Sequence, residues 1–217
     1  MGFQFSYVDI AILFFLTLGP LKAILPFARA TRGADRGFRR AVARRAVVIA
    51  FIVVLTVALL GPFVLTNWHV SVPAILITCG IILFYQALRI TTQTPAGLAG
   101  AASQDAPATQ PSPAIAVFPI AIPALVTAPG IAAIAAIAVL NRHEHDLTQQ
   151  AVVVALLVAV MALNLVTLLN NEAILRHGLA GILPVVGWVL AVLQAALAVQ
   201  MVIYSLRLLE VLHWPAS

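Results

Sequence analysis

Two short strings carry the residue types in this chain most suited to holding a small polar ligand. They are Thr17-Leu18-Gly19-Pro20-Leu21-Lys22 and Thr127-Ala128-Pro129-Gly130-Ile131, each set inside an otherwise apolar run. Proline lacks an N–H and clashes with the preceding turn, so each string predicts a kink or a split. A half-helix starting at such a break presents unpaired N–H groups and the positive end of its dipole, a seat for a carboxylate or other anion. Thr17 and Thr127 can add hydroxyls, and Lys22 an ammonium. Gln194 and Gln200, six apart on the last apolar run, can add amides. The candidate substrate-binding set is therefore Thr17, Gly19, Pro20, Lys22, Thr127, Ala128, Pro129, Gly130, Gln194 and Gln200. This is recognition chemistry rather than catalysis. No Ser/His/Asp set at one depth, no glycine-rich phosphate loop and no carboxylate pair can be picked out, so neither an enzyme nor a cofactor is expected.

Each of these features also has a plainer reading. Gly and Pro kink membrane helices for close packing without making a site. Lys22 lies two residues past the first break and six before Ala28, roughly 9 Å into its run. Its stem could lie along the helix and lift the ammonium to the headgroups, or it could face a polar cavity. A glutamine in a membrane helix most often bonds between helices. Glu172 could pair with Lys22 or, as the simpler expectation, face water beside Arg176 and His177. His143-Glu144-His145-Asp146 lacks the ligand spacing of a zinc site and reads as a solvated loop, so no metal is expected. Cys79, the single cysteine, excludes an internal disulfide and reads as a small packing residue.

The elements that must position these residues follow from composition. Of 217 residues 63% are hydrophobic and 9% charged, with a mean hydropathy of +1.08. A soluble domain carries roughly 25% charged residues, so lipid is the solvent over most of this chain. Six apolar runs stand out, about Tyr7–Ala28, Ala46–Thr66, Val72–Ile90, Ala114–Leu140, Ala151–Leu169 and Leu179–Leu206. Most approach the ~20 residues a helix needs to span the hydrocarbon. The fourth is longer and holds Pro119, Pro123 and Pro129, which predicts a tilted, broken or re-entrant segment. The first run has no basic flank ahead of it and reads as a retained helix rather than a cleaved signal.

Charge sets the orientation. With both termini outside, the inner loops hold Arg29, Arg32, Arg36, Arg39, Arg40, Arg44, Arg45, Arg89 and Arg176, and the outer side Arg142 and Arg207. Nine against two predicts this topology. It also accounts for the formal charge of +5 without a nucleic-acid partner. The arginine cluster could meet anionic headgroups, though orienting the chain explains it sufficiently. Trp68 and Trp214 then fall near the outer interface. Ser71 is placed to cap the third helix, and Asp146-Leu147-Thr148-Gln149 resembles a capping box for the fifth. Residues 91–113, rich in Ala, Thr, Gln and Pro, read as a flexible cytoplasmic linker between three-helix halves at 1–90 and 114–217. An odd number of crossings per half inserts the second half upside down, so related halves would form an inverted repeat.

Several strings together resemble the MarC-like integral membrane proteins of bacteria and archaea over essentially the whole length. They are Arg39-Arg40-Ala41-Val42-Ala43-Arg44-Arg45, Ser71-Val72-Pro73 through Gly80, Val117-Phe118-Pro119 through Gly130, and Ala195 through Gln200-Met201. The resemblance implies six transmembrane helices in the inner membrane, and some members are described as carriers of small neutral amino acids. The chain departs from the family pattern at Gly19, Lys22, Leu76, Ala128 and Gln194, which exchanges polar groups near both breaks. The expectation is an all-α polytopic membrane protein of six helices in two inverted three-helix halves, with broken first and fourth helices. Its expected work is secondary transport or export of a small polar metabolite by alternating access. A non-transporting scaffold or regulatory role is the alternative. The bilayer, a small-molecule substrate, a coupling ion and a homo-oligomer are the partners this reading admits.

Overall fold

A computed structural model describes residues 6–92, 113–144, 147–176 and 183–209, all helical or turn. Helix α1 runs Tyr7–Leu18 and α2 Leu21–Ala30, α3 is Arg36–Asn67, and α4 is Val72–Thr92. After the linker, a short 3₁₀ turn at Pro113–Ala116 leads into an irregular wound segment, Val117–Leu125. Then follow α5 (Ala128–Glu144), α6 (Leu147–Leu169), the single-turn α7 (Asn171–Arg176) and α8 (Leu183–Leu208). Among the described residues five stretches are long and apolar enough to cross a membrane, with α1 and α2 counted together, and Ala128–Leu140 is a shorter apolar helix. Large aliphatic and aromatic side chains face outward along these helices, including Val48, Ile52, Leu60, Phe63, Tyr85 and Val192. That exposure is tolerable only in lipid.

Local chemistry sets the boundaries. Ser6 and Asp9 form a capping box at the start of α1, which gives the one acid of that run a structural role. The α3 helix begins ten residues before its apolar run because Asp35 accepts from the N–H groups of Gly37 and Phe38. At 32 residues it extends roughly 48 Å, more than the ~30 Å of hydrocarbon, so its arginine-rich first turns stand clear. Ser71 accepts from Ala74 N–H at the head of α4, and His69 makes the preceding turn in the left-handed region, φ 56°. The capping box at Asp146 and the greater part of the linker lie outside the described residues.

The wound segment has a direct cause. Phe118 (φ −130°, ψ 126°) and Ile122 (φ −129°, ψ 122°) are extended, and each precedes a proline, whose ring disfavours the helical region for its neighbour. The chain alternates between helical and extended residues and closes with a five-residue step, Val126 N–H to Ala121 O at 2.9 Å.

Helix directions follow from matched contacts. Ser205 meets Pro73, Cys79 meets Met201 and Gln194 meets Leu83, so α4 and α8 run antiparallel in close register. Gly80 lies in that seam, where an added Cβ would come 2.6 Å from Val202 Cγ2 and 2.8 Å from the Ala198 carbonyl. Leu18 meets Asn164 and Ile24 meets Asn171, so α1–α2 and α6 run parallel. The start of α3 meets α7, just past the end of α6, so those helices oppose each other. Thus α6 runs opposite to α3 and α8 opposite to α4, their counterparts in chain order. The core lies between them: α3 packs on α5, α6 and the wound segment, while α1 packs on α5 and α2 on the wound segment.

Candidate functional site

The two interruptions meet at the centre of the bundle. The α1 helix stops at Leu18 because Gly19 is extended (φ −70°, ψ 164°) and Pro20 opens α2. A side chain at Gly19 would place its Cβ 1.9 Å from the Phe15 carbonyl oxygen, so only glycine fits this step. The last carbonyls of α1 then have no donor one turn ahead, and in lipid that deficit must be met by protein. Side chains from the second half meet it. Thr127 Oγ1 donates to Thr17 O at 3.1 Å, and Asn164 Nδ2 donates to Leu18 O at 2.8 Å.

The same Thr127 hydroxyl accepts from Gly130 N–H at 3.1 Å, which caps α5. One side chain thus starts one half-helix and completes another. Pro129 occupies the second position of α5, where its missing N–H leaves nothing unpaired. It starts the helix rather than breaking it; the interruption comes from the prolines at 119 and 123 through Phe118 and Ile122. Gly130 lets the α5 backbone press on α1, since an added Cβ would come 2.6 Å from Leu18 Cδ2. Thr17 is fully buried, and its hydroxyl donates back to Leu13 O at 2.7 Å. Pro20 and Gly130 are buried, Pro129 is half-buried and Ala128 is exposed.

Lys22 is the second residue of α2. The residue is half-buried and its Nζ has no contact with the surface of the protein and no hydrogen-bonding partner among the described residues. Two amide oxygens, one on α6 and one on α7, share that condition. Asn164 spends both N–H groups on carbonyls, Leu18 O and Val160 O, and leaves Oδ1 unpaired. Asn171 Nδ2 donates to Ile24 O at 2.9 Å and also leaves Oδ1 unpaired. Sequence reasoning did not assign these two asparagines to the site. Their spacing could not place them together, because α6 ends at Leu169 and Asn171 opens the separate helix α7.

The remaining expected residues lie elsewhere. Gln194, 1% exposed, donates from Nε2 to Leu83 O at 3.0 Å within the α4–α8 seam. Gln200 is half-buried further along α8. Glu172 pairs neither with Lys22 nor with water alone: its carboxylate forms an ion pair with Arg39 of α3. The reason is the antiparallel approach of α3 to α6–α7, which sets these residues side by side. Among the described residues no cluster of three His, Cys, Asp or Glu converges, and His143–Asp146 lies outside the described side chains.

Long apolar helices with outward-facing aliphatic side chains, and two interrupted helices joined through Thr127 and Asn164, define a multi-pass helical membrane protein. Residues 4–209 match the family of MarC integral membrane proteins, and the chain belongs to that family. It is similar to a UPF0056 membrane protein of Methanocaldococcus jannaschii, 28% identical over 195 residues, spanning 89% of this chain and 92% of that protein. No solved structure matches.

Proposed function

We propose that the protein is a secondary carrier of a small polar metabolite, with the substrate held where the first break meets the second. One observation carries this reading: Thr127 of the inverted half completes the backbone of the break at Thr17. Along α2 and the facing α6–α7 lie an ammonium and two amide oxygens, buried and without a hydrogen-bonding partner among the described residues. An unpaired buried polar group costs about 1–3 kcal/mol, and a ligand bearing both an anionic group and N–H or O–H donors would relieve all three. Lys22 Nζ would take the anionic group. The Oδ1 atoms of Asn164 and Asn171 would accept from the donors, and the opening amides of α2 would add the dipole of its N-terminus. A neutral amino acid has this pattern, and some family members are described as carrying such substrates. In this reading the units are the halves at 1–90 and 114–217, joined by 91–113, and they rock against each other to expose the junction alternately. The membrane would be a bacterial inner membrane, and the arginine distribution supports placing both termini on its periplasmic side. A coupling ion or the substrate gradient drives transport, and no enzymatic step is involved.

The competing reading is a membrane scaffold or stress-related regulator. One observation favours it: the junction is closed, with Leu18 packed on Gly130 and only 1% exposed. A metabolite screen by thermal shift, followed by vesicle flux of any stabilising compound, separates the two. Lys22→Met is expected to abolish both binding and flux while the protein inserts normally. Flux through Lys22→Met equal to that of the native protein would refute the assignment.

A further inference from the structure

A polar cavity lies at the end of the bundle where α3 begins and α6 gives way to α7. It encloses about 290 Å³ between the two halves. Its lining divides by chemistry. Leu168 and Leu169 form its apolar side, and Arg36, Arg39 and Arg40 supply three guanidinium groups against the one carboxylate of Glu172. That carboxylate is committed to Arg39. Arg36 and Arg40, one turn apart on the same face of α3, have no carboxylate partner among the described residues. The neighbouring acid, Asp35, is turned onto the N–H groups of Gly37 and Phe38. Orienting the chain in the membrane needs positive charge on this side, but it does not need two unpaired guanidinium groups at the mouth of a cavity. Guanidinium pairs match the oxygen geometry of phosphate. An apolar wall beneath them suits a headgroup whose acyl chains lie in the bilayer.

We infer that this cavity binds a phosphate-bearing anion, either the headgroup of an anionic phospholipid or free phosphate, through Arg36 and Arg40. Occupancy joins α3 of one half to α6–α7 of the other beside the Arg39–Glu172 pair, so it stabilises the contact between halves by mass action.

The test is the thermal denaturation of the full chain in neutral detergent. The additives are phosphatidylglycerol, phosphatidylcholine or inorganic phosphate, with ionic strength matched by chloride. Phosphatidylglycerol is expected to raise the midpoint by several degrees and phosphatidylcholine to leave it unchanged. A rise with inorganic phosphate as well assigns the site to the free anion; a rise with phosphatidylglycerol alone assigns it to the lipid. R36Q/R40Q is expected to lose at least half of the rise. R44Q/R45Q, which removes two exposed arginines of the same helix outside the cavity, is expected to keep it. The single variants R36Q and R40Q carry the same expectation at about half the size and serve if the double variant does not fold. No rise from either anion, a full rise in R36Q/R40Q, or an equal loss in R44Q/R45Q would overturn the inference.

Discussion

Asn164 is the side chain on which the broken first helix most depends. It supplies a donor to Leu18 O that the helix, interrupted at Gly19-Pro20, no longer supplies to itself. Asn164→Leu should destabilise the protein by about 0.5–2 kcal/mol, the range for polar contacts between membrane helices, read as a lowered denaturation midpoint in detergent. No change would mean that the carbonyl finds another donor and that the asparagine is kept for something else. Thr17, Gly19, Pro20, Lys22, Thr127, Pro129 and Gly130 were legible in the sequence because glycine, proline and a lone lysine are rare enough inside apolar runs to attract notice. Asn164 and Asn171 were not, because an asparagine near a helix end reads as ordinary solvation until the facing carbonyl is in view. Gln194 was legible as polar, but its partner at Leu83 depends on the α4–α8 register, which a single sequence does not display.

At the scale of elements, the α4–α8 seam and the α3–α7 contact make opposite kinds of prediction. The seam is tight at Gly80, where backbone atoms of Ala198 lie within 2.8 Å of an added Cβ. Gly80→Val should force the helices apart and cost about 1–3 kcal/mol, the usual penalty for overpacking. Gly187→Ala on α8, with nothing within 4 Å of its added Cβ, should be neutral or gain up to about 1 kcal/mol of helix propensity. Thermal denaturation of the two variants in parallel checks the contrast. The Arg39–Glu172 pair joins side chains 16% and 52% exposed, so a double-mutant cycle should find a coupling of only ~0.2–1 kcal/mol. The charge-swapped pair R39E/E172R should recover part of what either single reversal loses. The head of α4 read well from the sequence because Ser71 was a recognisable cap, whereas the Ser6–Asp9 capping box of α1 was not picked out. The early start of α3 was missed because its first turns are arginine-rich rather than apolar. The fourth run was expected to break at Pro119, Pro123 and Pro129; the first two act by making Phe118 and Ile122 extended, while Pro129 lies in the first turn of α5.

For the whole molecule, the proposed carrier function needs one junction that opens to each membrane face in turn, and an inverted arrangement of helices suits that need. Broken helices cost backbone hydrogen bonds wherever they occur in lipid. Here the cost is met across the halves, by Thr127 on Thr17 and by Asn164 on Leu18. A scaffold would gain nothing from placing its weakest backbone at the contact of two opposed halves, whereas a carrier needs a polar junction there that each half can uncover. Alternating exposure of that junction is the central claim. A single cysteine at the junction, T127C in a C79A background, reports on it when sealed vesicles are treated with a membrane-impermeant thiol reagent from each side in turn. Labelling from both sides, suppressed by the compound that stabilises the protein, is the predicted result. A thiol that reacts from neither side, in protein that is folded and correctly inserted, would contradict it.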